Sequence, residues 1–300
     1  MKQLHLAPLK NISCWAFRAT AIGATDSYTH MINLRNLLSN KPNALKIIDT
    51  YPIPSQNQWV QILTKKIRDI AGLPSYLKDF YTKYPERANI YGVNLNFGCP
   101  DPNVIGTGEG AALIKRTKHC MELIQTFLNS SDSQMFHISS KFRLGLNEQE
   151  MKYNKIIDFL ELVKDLDDPR FAPTIIHFKH AKQSSEEPPH WEFLKDILNL
   201  NAPIIINGHI STPDDVKKIK ENFSLKDKKK WKNLVAGYMI GRGAMKNLDC
   251  FQNFISPHSK IENEAWKIRF QKNFKTQIPP KRFLSNFYEI YPFLFKKLQK

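Results

Sequence analysis

Short runs in which apolar and polar residues alternate are separated along this chain by stretches whose apolar positions recur at helical spacing. The clearest run is Tyr91, Val93, Leu95 and Phe97, the period-two pattern of a strand. It stops at Gly98-Cys99-Pro100, because glycine admits unusual backbone angles and proline lacks an amide donor. A loop with Gly106, Gly108 and Gly110 follows, and then a helical stripe of Leu113, Thr117, Met121 and Ile124. Similar runs predict strands over residues 4–8, 26–31, 59–63, 135–145, 173–179, 202–208 and 234–240. Residues 44–54 are expected to form an inserted strand or hairpin, closed by Pro52 and Pro54. Helices are predicted from about Lys65, with a break near Pro74 and a second piece to Tyr84, and again from Ser211-Thr212-Pro213-Asp214, a favourable helix start. Eight strand–helix units in succession predict an α/β fold, a (β/α)8 TIM barrel over about residues 1–250 with a short C-terminal helical appendage. That appendage, residues 257–300, is expected to be two short helices split by Pro279-Pro280.

The 300 residues are enough for such a barrel, and a hydrophobic fraction of 42% supports a sizeable core. There is no run of 18 apolar residues and no signal-peptide core in MKQLHLAPLK, so the expectation is a soluble, cytoplasmic protein without a membrane partner. Cys14, Cys99, Cys120 and Cys250 are scattered, without CxxC or His-rich spacing, which argues against a disulfide framework or a metal site. Charge adds a partner. The net charge of +16 exceeds what a small acidic substrate requires and suits an RNA backbone. Two clusters stand out: eight Lys within residues 217–232, and ten Lys or Arg within 251–300, interleaved with Trp266, Phe270, Phe274, Phe283 and Phe287. Evenly spread lysine or an anionic membrane surface are the alternatives.

Candidate chemistry gathers at the predicted C-terminal ends of the strands, where a barrel of this kind holds its site. A free cysteine is most often a buried small hydrophobe, and Cys14, Cys120 and Cys250 fit that description. Cys99 differs, because Gly98 and Pro100 place it on a constrained loop. An unperturbed thiol is still protonated at neutral pH and gives up its proton readily, so it can act as a general acid. Lys141 lies within a predicted strand, where it must face an anion or a polarised ring, or else sit on a rim in water. Gln61 sits among apolar neighbours and is either solvent-facing or part of a site. Asn207-Gly208 and Gly241-Arg242-Gly243 end the last two strands, the place where barrels bind phosphate.

The words NFGCP, GEGAALIK, KFRLG, INGHI and MIGRGA, in this order and spread over nearly all of the barrel, resemble the tRNA-dihydrouridine synthase family. The resemblance implies FMN-dependent reduction of the C5=C6 bond of a uridine in tRNA, with NADPH or NADH as reductant, on a chain expected to be monomeric. By the same resemblance Cys99 is the proton donor, and Asn96 and Lys179 contact the substrate base. Ala7, Pro8 and Leu9 lie under the flavin, Gln61, Lys141 and His177 hold its ring and ribityl region, and Asn207, Gly208, Gly241 and Arg242 hold its phosphate. Trp15, Phe17 and Arg18 match the family's first helix. The chain departs from the family at Leu9 for Met, His30 for Glu and Phe178-Lys179 for Gly-Arg. Its tail looks curtailed relative to the family's helical tRNA-gripping domain. A flavin-dependent dihydropyrimidine or dihydroorotate-type oxidoreductase on a free base, and a non-catalytic RNA-binding barrel, are the competing expectations.

Overall fold

The computed structural model describes residues 2–87, 90–256, 265–277 and 281–292. Nine strands form one parallel sheet: β1 (Gln3–Leu6), β2 (Asp26–Tyr28), β3 (Ile32–Asn33), β4 (Asn57–Leu63), β5 (Ile90–Phe97), β6 (His137–Arg143), β7 (Thr174–His177), β8 (Ile204–Asn207) and β9 (Val235–Ile240). Each strand from β4 to β9 pairs with its predecessor's edge, β9 pairs with β1, and β1 pairs with β2. β2 and β3 both pair with β4, as two pieces of one strand interrupted at Thr29–Met31, so the sheet closes. The result is the eight-strand (β/α)8 TIM barrel that the alternation predicts.

One predicted element is wrong in kind. Residues 44–54 contribute no strand; Pro42–Ile48 is a helix with its proline in the first turn, and it buries Ala44, Ile47 and Ile48. The β-branched pair Ile47-Ile48 suggested extended chain, but that preference is weak beside the gain from packing an apolar helix face against the barrel.

Each barrel strand has two buried faces, which do different work. On β5, Val93, Leu95 and Phe97 point outward into the main core under the helices, and on β6 Phe142 packs at 4.9 Å from Phe97 and 4.4 Å from Phe159. The intervening residues point into the lumen. Toward the N-terminal ends of the strands the lumen is filled by Tyr28, Trp59, Ile175, Ile205 and Met239. Buried Asp26 is satisfied there by Trp59 Nε1, which donates at 2.8 Å, and by the Thr25 hydroxyl at 2.7 Å. Toward the C-terminal ends the lumen is polar.

The described parts of the tail, Ala265–Thr276 and Lys281–Ile290, are helices. The first packs on the helix Trp15–Thr20, with Phe270 against Phe17 at 5.9 Å and against Phe287 at 5.8 Å. Trp266, Phe270, Phe274, Phe287 and Tyr291 are all buried. These aromatics therefore finish the core, and their faces are not open to nucleic-acid bases. Pro279, Pro280 and the side chain of Phe283 lie outside the described residues. Among the described residues, no helix is long and apolar enough to cross a membrane.

Candidate active site

The polar end of the lumen opens into a cavity of about 1250 Å³ lined from every sequence-predicted site position, Ala7-Pro8-Leu9 on one side and Asn207-Gly208 and Gly241-Arg242 on the other. Its floor is a chain of side-chain amides. Gln61 Nε2 donates to Asn94 Oδ1 at 2.8 Å, Asn94 Nδ2 donates to Ser139 Oγ at 2.7 Å, and Asn96 Nδ2 donates to Gln61 Oε1 at 2.9 Å. All four residues are buried. A buried amide without partners costs roughly 1–3 kcal/mol, so this mutual satisfaction fixes the orientation of Gln61. Gln61 thus faces the lumen and not solvent.

Asn96 also builds the cysteine loop. Its Oδ1 accepts from the backbone N–H of Gly98 at 3.1 Å and of Cys99 at 2.8 Å. The resemblance assigns Asn96 to the substrate base, whereas in the structure its amide spends its hydrogen bonds on the protein. Arg143 braces the loop from β6, donating to the Gly98 carbonyl at 3.0 Å and to the His180 carbonyl at 3.0 Å. On the third side stands Gly110, at φ +58, where a Cβ would lie 2.9 Å from the Cys99 carbonyl oxygen. Only glycine allows that approach. A Lys10–Asp101 ion pair at 2.8 Å links the loop after β1 to the helix turn beyond Cys99. Cys99 itself is half-buried, and burial raises its pKa above the ordinary thiol value, which keeps it protonated at neutral pH.

Opposite the cysteine the wall is cationic. Lys141 Nζ has one hydrogen-bond partner among the described residues, Asn207 Oδ1 at 3.2 Å, and Asn207 is oriented by donating to the Met239 carbonyl at 2.8 Å. Burial first, and then the Arg143 charge, lower the Lys141 pKa to about 7. Burial and the Lys141 charge likewise push His177 well below the usual imidazole range. Such depressed bases await an anion or a hydrogen-bond acceptor. At the rim, Arg242 Nη1 holds the Glu186 carboxylate at 2.7 Å. Beside it Gly243 lets Ser211 close in, since a Cβ there would meet Ser211 Oγ at 2.2 Å.

Two expectations for the stretch after β7 resolve differently. Phe178 is fully buried and packs on Trp191 at 4.7 Å, so the bulky residue is turned away from the cavity into the core. Lys179 was expected to contact substrate, yet its ammonium is taken up by loop carbonyls. Sequence reasoning missed Asn94, Ser139 and Arg143. The signal for them was period two: Asn94 shares the lumen face with Asn96, and Ser139 and Arg143 share it with Lys141.

The sequence model described as "Dihydrouridine synthase (Dus)" matches residues 5–281. The chain belongs to that family. It is 29% identical over 204 residues to "Probable tRNA-dihydrouridine synthase" of Staphylococcus aureus strain N315, covering 67% of this chain and 58% of that protein. It is 30% identical over 177 residues to "Probable tRNA-dihydrouridine synthase 2" of Bacillus subtilis strain 168, covering 57% of this chain and 48% of that protein. The chain thus spans about half the length of these relatives. Among solved structures, a variant of NCR from Zymomonas mobilis matches with a TM-score of 0.50 at 11% identity, covering 88% of this chain and 90% of that one, a likeness of fold alone. The family match takes in the cysteine loop, the amide floor and the Arg242 rim described above.

Proposed function

We propose that this chain is a tRNA-dihydrouridine synthase, an oxidoreductase that reduces the C5=C6 bond of a uridine in tRNA with FMN as cofactor and NADPH or NADH as reductant. The observation that carries this is a half-buried cysteine on a braced loop, its pKa raised by burial, facing the same cavity as a wall of basic and amide side chains. The wall fits FMN on its own chemistry. Among the described residues the Lys141 ammonium has a single neutral hydrogen-bond partner, and the Arg242 guanidinium already holds an oxyanion, the Glu186 carboxylate. Gln61 offers an amide fixed by its neighbours, and Asn207, Gly208, Ser211 and Gly241 supply polar and backbone groups beside Arg242. Ala7, Pro8 and Leu9 give an apolar surface on which a flat ring can lie.

Bound FMN would supply the hydride that uracil takes at C6. The residues of this chain provide the rest. Lys141 and His177 would orient the ring, Lys141 would balance negative charge, and Arg242 would hold the phosphate by charge-assisted hydrogen bonds. Cys99 would deliver its proton to C5, from a thiol whose raised pKa keeps it loaded until the carbon becomes basic. A uridine must leave its stack to enter such a cavity, and Lys10 and Lys246, which line it, would attract the flanking phosphates.

The test is single-turnover mixing of prereduced enzyme with unmodified tRNA. Cys99→Ala should keep its flavin, its reduction by the nicotinamide and its tRNA affinity, while reoxidation by tRNA slows by about 10²–10⁴-fold, the range for a lost general acid. Wild-type reoxidation by the variant would make Cys99 a packing residue and sink the assignment.

A further inference from the structure

The loop between β7 and the next helix curls around one atom. Lys179 follows β7 by two residues and is 1% exposed. Its Nζ donates to the carbonyls of Ser184 at 3.1 Å and Ser185 at 2.8 Å, and also to that of Glu187. His209 Nε2, on the loop after β8, lies 3.1 Å from the same ammonium and 2.9 Å from the Ser185 carbonyl. That histidine is exposed and sits at φ +46, in the left-handed region.

An ammonium has three protons to donate and no lone pair. Here it meets three carbonyl acceptors of its own loop and lies against the His209 ring of a second; Nε2 either accepts from Lys179 or, in the other tautomer, donates to the Ser185 carbonyl. Without a cation, three carbonyl oxygens aimed at one point would repel and lose their partners, and the loop would have to open. Within the loop Gln183 Nε2 donates to the Pro188 carbonyl at 2.6 Å and the Ser184 N–H donates to Glu187 Oε1 at 2.6 Å, while Arg143 and the backbone of residues 145–146 hold its start and Arg242 pairs with Glu186. Among the described residues, the side-chain hydrogen bonds that join this loop to its neighbour after β8 run through His209, to Lys179 Nζ and to the Ser185 carbonyl. The lip so formed carries Ser184, Ser185 and Glu186 along the cavity wall and sets Glu186 against Arg242.

We propose that Lys179 is a positioning residue for the substrate entrance: from inside the wall it pins loop 180–190 to loop 208–211 and thereby fixes the lip over which RNA reaches the cavity. This rests on the functional reading above for the identity of the substrate, while the pinning itself does not. Lys179 thus acts through the loop and not on the reacting base.

The experiment uses the flavin-loaded enzyme and three variants, Lys179→Met, Lys179→Arg and His209→Ala. Hydrogen exchange of the 184–187 amides and cleavage at Glu186 by a glutamyl endopeptidase read the lip without substrate. Steady-state reduction of unmodified tRNA reads its consequence. In Lys179→Met, exchange and cleavage should each accelerate by about tenfold or more, and KM for tRNA should rise by about tenfold with kcat within about threefold of wild type. Lys179→Arg, which keeps donors and charge, should recover part of both. His209→Ala removes the imidazole that meets both Lys179 and the Ser185 carbonyl and leaves the strands untouched, so it should loosen the lip by about threefold and keeps the test alive if Lys179→Met does not fold. A lip as protected as wild type in either folded variant overturns the proposal. So does a loss confined to kcat, which would put the ammonium on the reacting atoms. A well-pinned wild-type enzyme that does not reduce tRNA would instead sink the functional reading and leave the pinning intact.

Discussion

Lys141 links the cavity to pH in a way that can be measured without substrate. Burial, followed by the neighbouring Arg143 charge, lowers its pKa from 10.5 to about 7 in the folded protein. The sign follows from counting protons. Between about pH 7 and 10.5 the unfolded chain carries a proton on this lysine that the folded chain has released, so folding releases it and stability rises with pH through that window. Below pH 7 both states hold the proton, and the folded state bears the full cost of a poorly solvated ammonium. At about 1.36 kcal/mol per pH unit, the whole span corresponds to about 5 kcal/mol. Lys141 is partly open to the cavity, where water screens its charge, so a gain of about 2 kcal/mol is the expected size. Lys141→Met keeps the length of the side chain and removes the titration. Urea unfolding of both flavin-free proteins at intervals from pH 6.5 to 9.5 cancels the other titrating groups in the difference. The wild type should gain on the variant by about 2 kcal/mol as the pH rises. A difference that stays flat, or that falls, would show that the ammonium is well solvated and would remove the reason for expecting it to seek an anion.

Two further outcomes test the rim and the tail. Arg242→Ala should lose a charge-assisted contact of about 1.5–3 kcal/mol and weaken flavin binding roughly ten- to a hundredfold in a dilution titration; an unchanged affinity would move the phosphate elsewhere. Phe270→Ala, at a fully buried ring between Phe17, Phe287 and Tyr291, should destabilise the protein by about 3–5 kcal/mol in urea unfolding. A loss below about 1 kcal/mol would show that the tail helix contributes little to the core.

What the sequence determined by itself was the order of strands and helices and the positions of the loops at one end of the barrel. Period-two runs closed by Gly, Pro or Asn carry that information locally, and eight of them leave few topologies open. The cysteine loop, the two glycine-bearing ends after β8 and β9, and the basic strand residue Lys141 were legible for the same reason. Local pattern failed where neighbours distant in sequence decide. Ile47 and Ile48 favour extended chain by themselves, yet the barrel wall offered an apolar surface that a helix covers better. The tail aromatics alternate with basic residues as an RNA surface would, and only the presence of Phe17 across the gap turned them into core. Asn96 and Lys179 are polar residues at the mouth of a site, which is all that sequence can state about them. Whether such a group meets substrate or protein depends on which acceptors the closed fold brings within about 3 Å. For Asn96 these are the amides of its own loop and Gln61; for Lys179 they are three carbonyls and an imidazole from two loops. Strand order is written in the chain because backbone pairing has a local period, whereas the partner of a polar side chain is fixed only when the loops have closed around it.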